Sequence, residues 1–280
     1  MKKLLLLTCL IAGLMSLNAQ TLIQKFYFDF GLAADTTKFD ASGNNGNYWN
    51  NYTGVNNTFQ TRKLVNSSNV VSNYNLYPKN RTPTYKLDGV NGPAFGPATN
   101  TTALGDLGIA SATTSTMYSN VSGSTGGQLT FNGLNPAKRY KFYIFGSRKD
   151  TYRVTRYTLT GTSTFTDTLT VGYATANANS GNASGVGVTY NNTRIVQSGL
   201  IYPKSDSITL ALSMFSGSIC YINCMKMEEY KGTQTITFGA LTSKVTSDGN
   251  YSPGASASSS LAISYASSNS AVATIVANQI

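Results

Sequence analysis

Residues 23–30 read Ile-Gln-Lys-Phe-Tyr-Phe-Asp-Phe, IQKFYFDF, and set Phe26, Phe28 and Phe30 two positions apart. A strand turns successive side chains to opposite faces, so this spacing lines three phenyl rings along one side and predicts a half-buried strand. The same period returns downstream. GQLTFNG pairs Leu129 with Phe131, and DSITLAL aligns Ile208, Leu210 and Leu212. RYKFYIFG is apolar on both faces over 140–145, as a central strand covered twice would be. Further strands are predicted over 152–160, 165–171, 194–201 and 218–227, and one short turn of helix over about 102–112. Roughly ten strands in about 210 residues, punctuated by Gly, Asn and Pro, predict an all-β, two-sheet β-sandwich of jelly-roll type.

The chain opens on MKKLLLLTCLIAGLMSLNA: two lysines, an apolar run too short to span a bilayer, and a small residue at Ala19. That pattern predicts a signal peptide over 1–19 and a secreted or cell-surface protein. Cys9 follows Thr8 in mid-run, so lipidation is not expected. No later apolar run approaches the roughly 20 residues of a membrane helix, so membrane insertion is not expected either. The full chain has 21 basic and 11 acidic side chains; removing Lys2 and Lys3 with the leader leaves 19 against 11, a formal charge of +8. Two cysteines remain, Cys220 and Cys224 in SICYINCMKM. In one continuous strand their Cα atoms would lie about 13 Å apart, beyond disulfide reach. They read as small buried apolar residues unless a turn at 221–223 brings them together.

The sequence contains no histidine, which removes Ser-His-Asp and Cys-His catalysis and histidine-built metal sites together. Glycoside hydrolysis needs two facing carboxyl groups. The two glutamates, Glu228 and Glu229, are neighbours whose side chains diverge in a strand, and aspartates such as Asp29, Asp35, Asp40, Asp88, Asp106 and Asp150 mostly occupy turn-like contexts. GDL at 105–107 lacks the serine of a secreted esterase motif. DASGNNG offers Asp40, Ser42 and Asn44 at alternate positions, but its glycine falls one place late and no acid stands at the twelfth position, so an Asx-rich turn is expected rather than an EF-hand. No catalytic residue, metal ligand set or cofactor is expected; a structural calcium assembled from distant loops is the alternative to the Asx-rich turn.

Two stretches could bind a ligand. NNGNYWNNYT carries the single tryptophan, and Trp49 with Asn50, Asn51 and Tyr52 combines an aromatic face with amides that can exchange hydrogen bonds with sugar hydroxyls. The competing reading makes Trp49 a plug that seats the loop on the sandwich. The second stretch gathers Lys138, Arg139, Lys141, Arg148, Lys149, Arg153 and Arg156 against Asp150 alone. Arg148, Lys149 and Arg153 are its candidates for an acidic polysaccharide; the competing reading is a solvated face. Nucleic acid is not expected, since no recognised binding motif is present.

After KMEEYKGTQ aromatics thin out and Ser and Ala rise, which sets a boundary near Lys231 and Gly232. The opening QTITF of the segment beyond it, with SYASSN and AVATI, resembles a bacterial immunoglobulin-like repeat over 234–276. Such a sandwich takes about 100 residues, so 233–280 is expected to be an incomplete Ig-like domain whose natural chain continues. FYFDFG, YWNNYT, LNPAKRYKFYIFGSR and CYINCMKM together resemble secreted jelly-roll modules of Gram-negative surface and polysaccharide-active proteins over 26–227, within an expected module over 20–231. The resemblance implies an ancillary or ligand-binding module, with structural roles for Asp29 and Arg148. The expected function is an exported, non-catalytic sandwich that binds glycan or another surface ligand, as an adhesin or carbohydrate-binding module. The alternatives are the N-terminal ancillary part of a polysaccharide-degrading enzyme, and a structural stalk component.

Overall fold

The computed structural model describes residues 21–53, 62–79, 84–86, 89–90, 100–119, 127–149, 152–173, 189–233, 235–238, 247, 249–257, 263–267, 269–271, 273–277 and 279–280. The expected leader over 1–19, Asp88 and Asp150 lie outside the described residues. The chain divides in sequence between Lys231 and Gly232 into two units.

Fifteen described strands build the unit 20–231: β1 (Leu22–Phe30), β2 (Trp49–Tyr52), β3 (Arg62–Val65), β4 (Val71–Lys79), β5 (Thr84–Lys86), β6 (Thr116–Ser119), β7 (Gln128–Asn132), β8 (Lys138–Phe145), β9 (Arg153–Thr160), β10 (Thr164–Tyr173), β11 (Thr189–Tyr190), β12 (Val196–Gln197), β13 (Ile208–Ser216), β14 (Cys220–Ile222) and β15 (Cys224–Lys231). They form a five-stranded sheet ordered β12-β8-β15-β1-β2, a seven-stranded sheet ordered β11-β10-β9-β13-β7-β4-β3, and a small sheet ordered β14-β6-β5. Among the described strands only β2 pairs in parallel, with β1.

The alternating residues meet between the two large sheets. Phe26, Phe28 and Phe30 of β1, Phe142 of β8, Leu129 and Phe131 of β7, and Ile208, Leu210 and Leu212 of β13 share one buried cluster, making this an all-β sandwich. Phe28 meets Phe131 edge-on across the sheets, centroids 5.6 Å apart at 79°. Such a pair adds about 0.5–1.5 kcal/mol beyond the area it buries.

The reading of β1 as half-buried needs correction. Its other face is covered as well: Tyr27, Trp49, Phe145, Cys224 and Tyr190 pack with Leu104, Leu107, Ile109 and Ala112 into a second cluster. The cover is the segment holding α1 (Thr101–Leu104), a 3₁₀ turn (Gly105–Leu107) and α2 (Ala110–Thr114), the region where a turn of helix was expected.

The strand expected over 218–227 is two strands in different sheets, broken at Asn223. Asn223 is fully buried. Its side chain accepts from Ser147 N (2.7 Å) and donates to the carbonyls of Thr113 (3.3 Å) and Ser115 (2.8 Å), while its backbone bonds Phe30 N and Phe145 O. One amide thus supplies the partners that the chain loses as it changes sheets. Cys220 and Cys224 fall on either side of the break, buried and free. The strand expected over 194–201 shrinks to β12 and an isolated bridge between Ile201 and Tyr140.

In the unit beyond Gly232, the described residues pair as β16 (Ile236–Thr237) with β17 (Ser256–Ala257), through a Val276–Gln279 bridge, and in a two-way backbone exchange between Tyr251 and Ile280. Tyr265 accepts from Ala255 N at 3.1 Å and meets Phe238 edge-on, yet Phe238, Ile236 and Val276 remain exposed.

Candidate functional site

The residues singled out around Trp49 are turned inward. Trp49 is 8% exposed, stacks on Tyr27 at 5.0 Å and donates its indole N–H to Asn44 Oδ1 at 2.7 Å. Asn44 also donates to the carbonyls of Lys38, Phe39 and Asn47, which makes DASGNNG an amide-capped turn.

Asn50 and Asn51 act as substitute strand edges. Asn50 accepts from Val65 N and donates to Val65 O, both at 2.8 Å; Asn51 accepts from Thr37 N at 2.8 Å and donates to Thr37 O at 3.0 Å. A carboxamide carries the same C=O and N–H pair as a peptide unit, so each side chain pairs a loop residue as a neighbouring strand would. Because the two are consecutive on β2, they pin separate segments. Tyr52 is buried and stacks near Phe28 and Phe30. The plug reading describes this geometry.

The basic run does not gather on one face. Arg148 is 7% exposed, its guanidinium over the rings of Tyr221 (5.0 Å) and Tyr118 (5.7 Å). It closes a corner in which Gly146 has no room for a side chain, since a Cβ there would strike the Tyr157 hydroxyl and Tyr221 O. Lys149 is half-buried just after it, and Arg153 lies against Gly217 at the start of β9. Arg156 covers the exposed Phe215 ring on the seven-stranded sheet, whereas Arg139 and Lys141 belong to the five-stranded sheet.

A polar constellation instead occupies the outer face of the five-stranded sheet, beside the helical cover. Register places Trp49 beside Tyr27, Tyr27 beside Lys226, Lys226 beside Tyr143 and Tyr143 beside Gln197, one rank across all five strands. The next rank sets Lys25, Glu228 and Lys141 side by side. Lys226 Nζ reaches Glu228 Oε1 at 2.9 Å and Asp106 Oδ2 at 3.0 Å, the latter delivered by the 3₁₀ turn. Glu228 Oε2 accepts from Tyr143 (3.0 Å) and Tyr230 (2.6 Å), Asp106 Oδ2 accepts from Tyr27 (3.1 Å), and Lys25 stands 3.6 Å from Asp106. Lys226 and Lys141 both approach the Tyr143 ring, at 4.1 and 4.9 Å.

Burial opposes ionisation at both carboxyls. At Glu228 the hydrogen bonds from Tyr230, Lys226 and Tyr143 and the Lys226 charge outweigh it, and at Asp106 Lys226 does so; both end below their ordinary values. Burial, then the Glu228 hydrogen bond and charge, pushes Tyr230 up to about 12, and Tyr27 and Tyr143 are raised too, so the phenols stay neutral donors. A general acid at neutral pH needs a raised carboxyl, and neither of these is one. What the arrangement offers is a preordered surface of phenols, ammonium groups and carboxylates. Glu229 diverges to the opposite face, where it accepts from Gln24 (2.6 Å) and Tyr74 (2.9 Å).

Sequence reasoning missed this face. The signal was there in CMKMEEY: a lysine and a glutamate two apart within apolar alternation must share one side of a strand. Among the described residues no three Cys, Asp or Glu side chains converge as a metal cluster, and no helix is long and apolar enough to cross a membrane.

No family model matches the chain, and no curated protein matches it. Among solved structures it is similar to the catalytic domain of a GH87 α-1,3-glucanase in complex with nigerose, at 15% identity and a TM-score of 0.24, over 49% of this chain and 24% of that one. The chain therefore spans about a quarter of that protein's length, and the likeness is too partial to define fold or chemistry.

Proposed function

We propose that the protein is an exported, non-catalytic β-sandwich that binds glycan or another cell-surface ligand, as an adhesin or carbohydrate-binding module, through the outer face of its five-stranded sheet. The observation that carries this reading is the half-exposed pair Tyr143 and Tyr230, both anchored on the buried carboxylate of Glu228 and flanked by Lys141 and Lys25. Sugars present apolar C–H faces rimmed by hydroxyls, which suit aromatic rings bordered by charged hydrogen-bonding groups. Side chains already ordered by Glu228 lose little rotamer freedom on binding. The lysines extend the ligand class to acidic polysaccharides.

Affinity electrophoresis and glycan arrays test the reading. Retention by at least one polysaccharide is expected, reduced about tenfold or more by Tyr143→Ala, given hot-spot losses of roughly 2 kcal/mol. Thr158→Ala, on the other sheet, leaves retention unchanged. If no polysaccharide, neutral or acidic, retains the protein, the glycan reading fails.

A further inference from the structure

Phe39 keeps half of its surface in solvent although the turn that carries it is tightly tied. It is 50% exposed, and its ring lies 4.7 Å from that of the half-buried Tyr48, tilted by 35°. Beneath the two rings Asn44 donates to the carbonyls of Lys38, Phe39 and Asn47 and accepts from the Trp49 indole. Ala41, in the same turn, packs against the cluster on the outer face of the five-stranded sheet. A single exposed ring needs no explanation, but two adjoining rings on an ordered turn form a stacking surface.

A chain of contacts joins this pair to Tyr143 and Tyr230. Tyr48 N donates to Ser67 O at 3.1 Å, Ser67 N donates to Lys25 O at 2.8 Å, and Lys25 Nζ stands 3.6 Å from Asp106. Asp106 shares Lys226 with Glu228, the carboxylate on which Tyr143 and Tyr230 are anchored. Register gives the length of this path. Trp49, next to Tyr48, and Tyr143 lie in one rank across β2, β1, β15 and β8, three strand spacings or roughly 15 Å apart. Between the two ring pairs Lys25 and Asp106 reach solvent, their side chains 34% and 43% exposed. An ammonium beside a carboxylate can donate to one sugar hydroxyl and accept from its neighbour.

We propose that this face takes a polysaccharide lengthwise across the strands, as an internal stretch of several sugar units rather than a terminal sugar, with Phe39 and Tyr48 as its second stacking platform. The inference rests on the glycan reading of the same site and adds chain length to what the site selects. A short fragment stacked at Tyr143 and Tyr230 does not extend to Phe39. A longer chain covers both ring pairs and lays its hydroxyls over Lys25 and Asp106. The two platforms then act on one ligand molecule, and both are ordered before it arrives, so the second contact adds affinity at little entropic cost.

Competition in affinity electrophoresis tests this, with the full chain migrating through gels that hold alginate, polygalacturonate, laminarin or xylan. Size-fractionated disaccharides and hexasaccharides of the retaining polymer serve as competitors. The hexasaccharide is expected to compete about tenfold or more better than the disaccharide, the gain of one added hot-spot contact. Phe39→Ala is expected to bring the hexasaccharide down to the level of the disaccharide and to leave the disaccharide unchanged, whereas Phe39→Tyr keeps the advantage of the longer chain. Tyr143→Ala weakens both competitors. Equal competition by the two fragments of the wild type's polymer, or an advantage of the hexasaccharide that survives Phe39→Ala, overturns the inference and leaves the glycan reading standing. No retention by any of these neutral and acidic polymers overturns the glycan reading and this inference with it.

Discussion

Trp49 donates its indole N–H to Asn44 Oδ1 across 2.7 Å, so the single tryptophan and the cap of the 38–47 turn form one unit. Replacing the indole by a phenyl ring leaves Asn44 Oδ1 without its buried donor. Trp49→Phe is expected to lower stability by about 1–3 kcal/mol in denaturant unfolding, the cost of one orphaned polar atom. In the native protein Trp49 emission should be blue-shifted and resist acrylamide quenching. Quenching at the rate of a free indole would place the ring in solvent.

The paired bonds of Asn50 to Val65 and of Asn51 to Thr37 make a sharper test. Asn→Asp at either site keeps the shape and the acceptor but removes the donor and brings in a charge beside a backbone carbonyl. Each is expected to cost about 1–3 kcal/mol. Thr158→Ala, on the outer side of the other sheet, should stay within about 0.5 kcal/mol. Equal effects at all three sites would mean that the amides do not pin their loops.

Acid should act through the Asp106–Lys226–Glu228 cluster. Both carboxyls are held below their ordinary values in the folded state, so their contribution is fully present above the unfolded carboxylate range, about pH 4–4.5, and is lost as pH falls through the lower folded values. Lys226→Met removes the shared cation and leaves Glu228 buried. The acid-unfolding midpoint of the variant should move to higher pH than that of the wild type. An unchanged midpoint would show that Lys226 does not hold these carboxyls ionised.

The unit 20–231 buries two clusters, whereas the described residues beyond Gly232 pair over two-residue strands with Phe238, Ile236 and Val276 exposed. Among those described residues little buried apolar surface offsets the ordering entropy. Limited trypsin digestion is expected to cut first at Lys231 and to leave the unit 20–231 as the resistant part. Equal protection of both parts would refute a difference in stability between them.

Alternation in IQKFYFDF, GQLTFNG and DSITLAL was enough to determine the sandwich and the rings that fill it, because strand geometry ties sequence parity to one face. The same parity put Glu228 and Glu229 on opposite sides, and it also carried the pairing of Lys226 with Glu228, which went unread until the structure showed it. Sequence could not decide what lies over an outer face, since the cover on Tyr27 and Cys224 comes from residues 104–112, far along the chain. Nor could it decide the use of an amide. Asn50 and Asn51 have the chemistry of sugar recognition, but β2 runs parallel beside β1 and brings them to the backbones of Val65 and Thr37. Arg148 was likewise drawn into a basic run by its neighbours, until the corner at Gly146 set its guanidinium over Tyr221. A side chain's hydrogen-bonding capacity is written in its covalent structure; whether backbone or solvent takes it up depends on which distant segments tertiary packing delivers.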